Sequence, residues 1–543
     1  MTGQDSWRWR IWLAWLGTLI LATGLRLYRP DWDGGIAAHP DERFLLDVAQ
    51  RVPLARNPCA AAPDFPYGTF PITLTQLLAI ASPDADPLFA ARLLSALVGV
   101  LLVVAGGAAG SRVAGPWGGP LAAVLLALAP FPIQQAHFYT VDPFLAVLVT
   151  VAILAGARHH WRLAGAMCGL ALACKASAVL AWGVLLGTAV REDCQMRSIL
   201  RGGRAGLAFV FTSLLALGLG SPWAMLTPVS CWRGALVQGA LVSGRFIVPY
   251  TQQYYGTLPL LYPLWQMALW GLGPGATAAG LAGALIALFQ LLSRRLRGHP
   301  LYLAWTGLVL LAFGSLWVKF PRYMLPLYPW LAAWAAFGLL RVRDGVARRV
   351  AVGLVLSVTG FMGMAQVGVY RTPHPWLTAS RWLYERVPER GVVAVESWEH
   401  PLPVPLPEAR SYVLYPLSVY EAETPSEVAA VQHTLDQAYV FVIASRRAVN
   451  ALARQPDRYA DLLSLYGRVL AEWEVHVFAR CPVVGPFALA DDPLSDAGLP
   501  SPGDALAERC GARWALRLPR LDESFRVYDA PLTVVALNPA VAP

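Results

Sequence analysis

The chain has 543 residues, of which 56% are hydrophobic and 14% charged, against roughly 25% charged in an ordinary soluble protein. With a mean hydropathy of +0.48, this excludes a soluble globular enzyme, a disordered chain and a small secreted disulfide scaffold. The net charge of +9 reads as topogenic charge, because the arginines form short clusters between apolar runs; no nucleic-acid partner is expected.

In chain order, apolar runs begin at Ile11, Leu88, Trp117, Tyr139, Leu163, Ala205, Trp265, Pro300, Tyr323 and Val350. The first follows Arg8 and Arg10, lacks a small-residue cleavage site and reads as a retained span. The run from Leu163 to Val190 is too long for one span, and Lys175 interrupts it. It is a hairpin of two half-spans or one tilted helix. Parity favours the hairpin, which puts the arginine clusters at Arg8/Arg10, Arg112, Arg158/Arg162, Arg191–Arg204, Arg294–Arg297 and Arg341–Arg349 on one side, the cytoplasmic one. The expected fold class is therefore mainly α: a polytopic membrane protein with about 11 transmembrane helices over residues 1–370 and the N-terminus inside. Two long external loops, 29–87 and 227–264, are predicted, the first with interfacial helices. Residues 371–543 have ordinary charge and read as a soluble external α/β domain. Its candidate strands are Val392–Ser397, Ser411–Tyr415, Tyr439–Ala444, Glu474–Phe478 and Thr533–Leu537. Its candidate helices are Trp376–Val387, Pro425–Gln437 and Ala448–Leu465.

Seven cysteines are scattered without CxxC or zinc spacing, so no metal ligand set is assigned. Cys168 and Cys174 read as packing residues. Cys59 and Cys231 fall in the external loops, and Cys481 and Cys510 in the C-terminal domain; whether they pair stays open. His374, His400, His433 and His476 are irregularly spaced and read as surface or core residues.

Charged residues in apolar surroundings carry the functional signal. Between Asp86 and Asp344 the only carboxylates are Asp142, Glu192 and Asp193, and of 43 basic residues only Lys175 and Lys319 are lysines. His39-Pro40-Asp41-Glu42 opens an amphipathic helix with Leu45, Val48, Ala49 and Val52 on its apolar face, placing Asp41 and Glu42 ionised at the membrane surface. Asp142 begins an apolar run at Tyr139-Thr140-Val141-Asp142-Pro143. For both acid segments, helix capping is the competing reading. Lys175 lies within an apolar stretch and either snorkels or serves a site. Lys319 and Arg322 flank a short external turn, against the positive-inside trend. A bound anion would explain them, and phosphate suits their hydrogen-bonding chemistry.

Several segments, in order, resemble the GT-C membrane glycosyltransferases, the relatives of protein O-mannosyltransferases and lipid A aminoarabinose transferases. These are His39–Val52, Ala91–Val100, Gln134–Asp142, Gly169–Lys175 and Lys319–Pro329. Asp522–Asp529 resembles an ending of bacterial phospholipid-carrier-dependent glycosyltransferases. The resemblance implies a polyprenyl-phosphate-linked sugar as donor and inverting transfer on the external face of a bacterial plasma membrane. The acceptor would be a lipid, glycan or protein of the cell envelope. Carried over by position, Asp41 is the general base, with Glu42 a second choice or positioning group. Lys175 and Arg322, with Lys319, hold the departing phosphate, and Asp142 orients the acceptor, a cation or Arg322. A divalent cation stays open as a cofactor. The stretch Phe65–Pro71 lacks the lysine that some relatives carry there, which argues against a straightforward aminoarabinose transferase. The C-terminal domain lacks the repeats of eukaryotic protein O-mannosyltransferases. The competing readings are a transporter or flippase for a lipid-linked anion, and an assembly subunit with a degenerate site. No internal repeat supports the transporter reading.

Overall fold

The computed structural model describes residues 3–61, 65–195, 204–294, 300–501 and 506–541. They form two compact units: one comprising Met1–Pro30, His39–Ser243 and Pro259–Gly363, the other Asp31–Ala38, Gly244–Leu258 and Met364–Pro543.

The first unit is built of helices. Among the described residues, five helices are long and apolar enough to cross a membrane: Arg8–Leu27, Pro87–Ala114, Pro274–Leu292, Pro321–Leu340 and Gly345–Val369. Gly118–Leu128 and Pro130–His137, bent by 63°, make a sixth if counted as one broken span. The break falls at Ala129, which is extended because a proline follows it. The chain is an integral membrane protein. Length and composition alone do not reach the expected figure of about 11, because five further apolar helices, Phe70–Ala81, Val141–Gly156, Trp161–Leu172, Arg204–Gly220 and Pro300–Gly314, have only 10–17 residues. A perpendicular crossing needs about 20.

Lys175 sits where a helix breaks. The Trp161–Leu172 helix ends there, Lys175 itself is extended, and Val179–Gln195 follows a short 3-10 turn. The chain doubles back: His159 Nδ1 and Trp161 Nε1, before and at the start of one helix, both reach Glu192 Oε2 near the end of the other, at 2.6 and 2.9 Å. Small residues let the neighbouring Arg204–Gly220 helix pack backbone to backbone. A Cβ at Gly165 would lie 2.2 Å from the Phe209 carbonyl oxygen, and one at Gly169 2.1 Å from that of Ser213.

The second unit carries a five-stranded sheet in the order β2-β1-β3-β8-β4, where β1 is Val392–Glu396, β2 Val413–Leu417, β3 Val440–Ile443, β4 Glu474–Phe478 and β8 Thr533–Leu537. β1 pairs in parallel with β2 and β3, while β8 runs antiparallel to β3 and β4. Helices Pro425–Gln437 and Ala460–Glu472 cover the sheet through Val428, Val431, Leu435, Leu462, Leu465 and Val469. A capping box on Thr424 and Glu427 starts the first of these. A second sheet, β5 (Val483–Val484), β6 (Phe487–Ala490) and β7 (Trp514–Arg517), has strands too short to show as an alternating pattern. The segment expected as one helix, Ala448–Leu465, is two, Arg447–Leu452 and Ala460–Glu472.

Within this unit the Asp522–Asp529 ending is a buried brace. Asp522 Oδ2 accepts from the Tyr254 hydroxyl at 3.1 Å, and Asp529 Oδ2 accepts from Gln366 at 2.8 Å and Tyr370 at 3.1 Å. Glu523 lies against Arg446 and Asn450. His374 is buried and caps Pro375–Arg386, its Nδ1 accepting from the Trp376 amide. Cys481 is bonded to Cys510 here, and in the first unit Cys59 is bonded to Cys231.

Candidate functional site

The site builds up from the Pro40–Arg51 helix. Proline at its first position costs no hydrogen bond, and His39 caps it, Nδ1 accepting from the Asp41 amide at 3.2 Å. Burial holds the His39 imidazole down at about 3, so it is neutral and keeps an acceptor lone pair for this cap. Leu45, Leu46, Val48 and Val52 are buried. The Phe70–Ala81 helix packs alongside, with Gln76 Nε2 donating to Val52 O at 2.5 Å.

Consecutive residues on a helix point about 100° apart, the consequence of 3.6 residues per turn, and the two acids at its start part company. Glu42 is 0% exposed, not at the surface as expected. It forms a two-pronged pair with Arg92 of the Pro87–Ala114 helix, Oε1 to Nε at 2.8 Å and Oε2 to Nη2 at 2.7 Å. Glu42 Oε1 also accepts from the Tyr139 amide at 3.1 Å, and Arg92 Nη1 donates to Pro30 O at 3.0 Å. Every prong of this pair is satisfied. It locks the Asp41 helix to the segment that carries Asp142.

Asp41 stays partly open, with 21% of its side chain exposed, and pairs with Arg322 Nη1 through Oδ2. Burial pushes the Asp41 carboxyl up, but the Arg322 guanidinium, with Lys175 behind it, outweighs this and holds the group below its ordinary 3.8. Asp142 does not cap its helix; Thr140 occupies that position. The Asp142 carboxylate instead accepts from Lys175 Nζ at 2.7 Å through Oδ1. The Lys175 ammonium lies 4.9 Å from the Tyr323 ring centre, and the Arg322 guanidinium 5.9 Å from it, so both cations flank one aromatic ring.

The break that presents Lys175 is held by the first loop. Gly68 N donates to Cys174 O at 2.8 Å and Phe70 N to Ala173 O at 3.0 Å. A Cβ at Gly68 would lie 1.9 Å from the Ala173 oxygen, so only glycine permits this approach. The Tyr139 hydroxyl donates to Pro71 O at 2.8 Å, tying the Asp142 segment to the same loop. The Cys59–Cys231 bond joins the loop to the Pro228–Val242 helix, which supplies one cavity wall.

Asp142, Lys175 and Arg322 line a cavity of about 190 Å³ whose other walls are mostly apolar, among them Leu145, Val149, Val242, Trp305 and Phe313. Two polar atoms of the charged set are buried without a hydrogen-bond partner among the described residues, Asp142 Oδ2 and Arg322 Nε. They are an acceptor and a donor in reserve. Lys319 is placed elsewhere: its ammonium donates to Trp317 O at 3.0 Å, and it does not line this cavity. The sequence reading missed Arg92 as the partner of Glu42 and Tyr323 as the ring between the two cations. An arginine inside the Leu88 apolar run was the available signal for the first.

Among the described residues no group of three His, Cys, Asp or Glu side chains could hold a metal ion. The first loop contains two Asp-X-Asp sequences, Asp31-Trp32-Asp33 and Asp84-Ala85-Asp86, a spacing that can serve metal binding elsewhere. Asp33 accepts from the Gly35 and Ala38 amides at 3.1 and 2.8 Å, and Asp86 caps the Pro87–Ala114 helix through the Phe89 amide at 2.6 Å. At the cavity the carboxylates face cations, so this donor set does not fit a resident divalent ion.

No family model matches the chain, and no curated protein matches it. Among solved structures it is similar to the Archaeoglobus fulgidus oligosaccharyltransferase AglB in complex with an inhibitory peptide and a dolichol-phosphate. That match has a TM-score of 0.51 at 13% identity and covers 86% of this chain and 73% of the other. It also matches ArnT from Cupriavidus metallidurans bound to undecaprenyl phosphate, with a TM-score of 0.43 at 15% identity over 99% of each chain. Both neighbours are members of the GT-C superfamily. The first likeness establishes the GT-C fold for this chain.

Proposed function

We propose that the protein is an inverting glycosyltransferase that moves a sugar from a polyprenyl-phosphate carrier to a hydroxyl acceptor at the external face of a bacterial plasma membrane. The observation that carries this reading is the pairing of Asp41 with Arg322 and of Asp142 with Lys175 at an apolar cavity, with Asp142 Oδ2 and Arg322 Nε left unpartnered. An isoprenoid tail suits the apolar walls. The phosphate suits Lys175 and Arg322, which exchange their carboxylate partners for its oxygens. That exchange releases Asp41 from the cation that depresses its basicity.

In the reaction, Asp41 takes the acceptor's hydroxyl proton as the acceptor oxygen attacks the anomeric carbon from the face opposite the leaving group. The bond from that carbon to the phosphate oxygen breaks, and Arg322 and Lys175 stabilise the charge that collects there. Asp142 Oδ2 orients the acceptor, and Glu42 positions the helix without touching substrate. Dolichol-phosphate binding by the archaeal oligosaccharyltransferase, whose fold this chain shares, supports a lipid-phosphate carrier. The two disulfides support an oxidising, external setting for the Cys59–Cys231 loops and for the C-terminal unit. An expected total of about 11 spans counts the shorter apolar helices as short or half spans.

The test is Asp41→Asn in purified, reconstituted protein. Transfer from a polyprenyl-phosphate sugar falls by about 10²–10⁴-fold, while the size-exclusion profile and melting temperature stay at wild-type values. Full activity in that variant overturns the role given to Asp41.

A further inference from the structure

A second concave site lies in the first unit, at the other end of the Val141–Gly156 helix from Asp142. It is an open groove of about 610 Å³ lined by Arg8, Arg112 and Arg158 together with Trp12, Trp15, Ala108 and Leu154. It shares no lining residue with the cavity at Asp142. Three separate elements contribute one arginine each: the first helix, the end of Pro87–Ala114, and the turn after Val141–Gly156. Among the described residues no carboxylate lines the groove. Glu192, the next acid in the chain after this turn, is engaged by His159 and Trp161.

The arginine cluster alone is what topogenic charge looks like. The groove beneath it is not explained that way. Its floor is built: Trp15 is seated on small residues, so that a Cβ at Gly107 would lie 2.2 Å from its ring and one at Gly119 3.1 Å. Ile11, Leu19, Val104 and Leu154 add apolar lining to the same groove. A volume of this order is that of a small-molecule site, which spans roughly 300–1,000 Å³. The groove combines cationic, hydrogen-bonding side chains from the ends of its elements with apolar ones from their interiors, the combination that suits a phosphate joined to an acyl chain.

We propose that this groove is a binding site for one anionic membrane phospholipid, its phosphate held by Arg8, Arg112 and Arg158 and an acyl chain laid against Trp12, Trp15 and Leu154. The occupant is structural lipid, distinct from the glycosyl carrier, and the proposal does not depend on the function assigned to the other cavity. Arginine is suited to the task because its planar fork donates two parallel hydrogen bonds to phosphate oxygens.

The test uses full-length protein in detergent, with phosphatidylglycerol, phosphatidylcholine or inorganic phosphate added, read by native mass spectrometry and by the melting temperature. Two variants are compared with wild type: the double substitution R112Q/R158Q and the groove-filling A108L, which keeps all three arginines. Wild type is expected to retain one phosphatidylglycerol and to bind it at least tenfold more tightly than phosphatidylcholine. Both variants are expected to lose that lipid. Retention by A108L with loss only in the double variant marks a diffuse basic surface and overturns the site. Equal binding of the two lipids, or stabilisation by inorganic phosphate equal to that by phosphatidylglycerol, also overturns it. If the double variant does not fold, A108L decides alone.

Discussion

Asp41 and Glu42 are neighbours in sequence and each faces an arginine, yet they stand in opposite environments. Glu42 and Arg92 are 0% and 1% exposed, and their prongs are closed by each other, by the Tyr139 amide and by Pro30 O. Asp41 and Arg322 are 21% and 20% exposed, and Arg322 keeps a buried Nε unpartnered. A fully closed pair in a low-dielectric setting fixes geometry, and breaking it strands a charge. An incompletely closed pair whose arginine lines a cavity can change partners. Charge type and sequence motif are the same in the two places, and it is hydrogen-bond completeness that separates the clamp from the chemistry.

The comparison breaks most visibly at the clamp. Arg92→Leu leaves Glu42 buried and unpaired, which costs about 3–5 kcal/mol. A large fall in melting temperature and poor recovery from detergent are expected, whereas Asp41→Asn is expected to melt like wild type. A clamp variant as stable as wild type would remove the distinction. Next in size is the cavity. Arg322→Gln removes a charge-assisted contact worth about 1.5–3 kcal/mol, so affinity for a polyprenyl phosphate is expected to fall by roughly ten- to a hundredfold. The equivalent loss from Lys319→Gln is expected to be small, because that ammonium is turned to Trp317 O. Equilibrium binding of the lipid phosphate to both variants checks this.

A smaller effect concerns pH. The Asp41 carboxyl lies below its ordinary 3.8 because of Arg322 and, behind it, Lys175. It is therefore ionised throughout the neutral range, and the acid limb of kcat/KM, which reports the free enzyme, falls below that value. Arg322→Gln removes the strongest opposing charge and shifts the limb upward in whatever activity remains. A downward shift would contradict the assignment. The smallest expected change is Tyr323→Phe, which keeps the ring between Lys175 and Arg322 and removes only a weak contact to Gln238 at 3.5 Å. Less than a threefold change in transfer is expected there, from the low end of about 0.5 kcal/mol for a hydrogen bond.

Much of this was legible in the sequence because it rests on local physics. The Pro40–Arg51 helix follows from proline, acids and apolar spacing within twelve residues. The break at Lys175 follows from the length of its apolar run and the parity of the arginine clusters. The five strands of the larger sheet follow from β-branched runs between turn residues, although β1, β2 and β3 are offset by one or two residues from the expected limits. What was not legible depends on distant partners. The fate of Glu42 is set by Arg92, fifty residues on. The cavity wall from Pro228–Val242 lay inside a segment read as a loop, and its link to the first loop is a disulfide spanning 172 residues. Lys319 and Arg322 looked equivalent three residues apart, but only Arg322 turns toward the cavity.

The most direct measurement of the central claim is a density map of the protein with a polyprenyl phosphate bound. The account expects the phosphate at hydrogen-bond distance from both Lys175 and Arg322, the tail along Val149 and Trp305, and the Asp41 carboxylate freed toward the position of the sugar. A phosphate bound elsewhere, with the Asp41–Arg322 and Asp142–Lys175 pairs both intact, would contradict it.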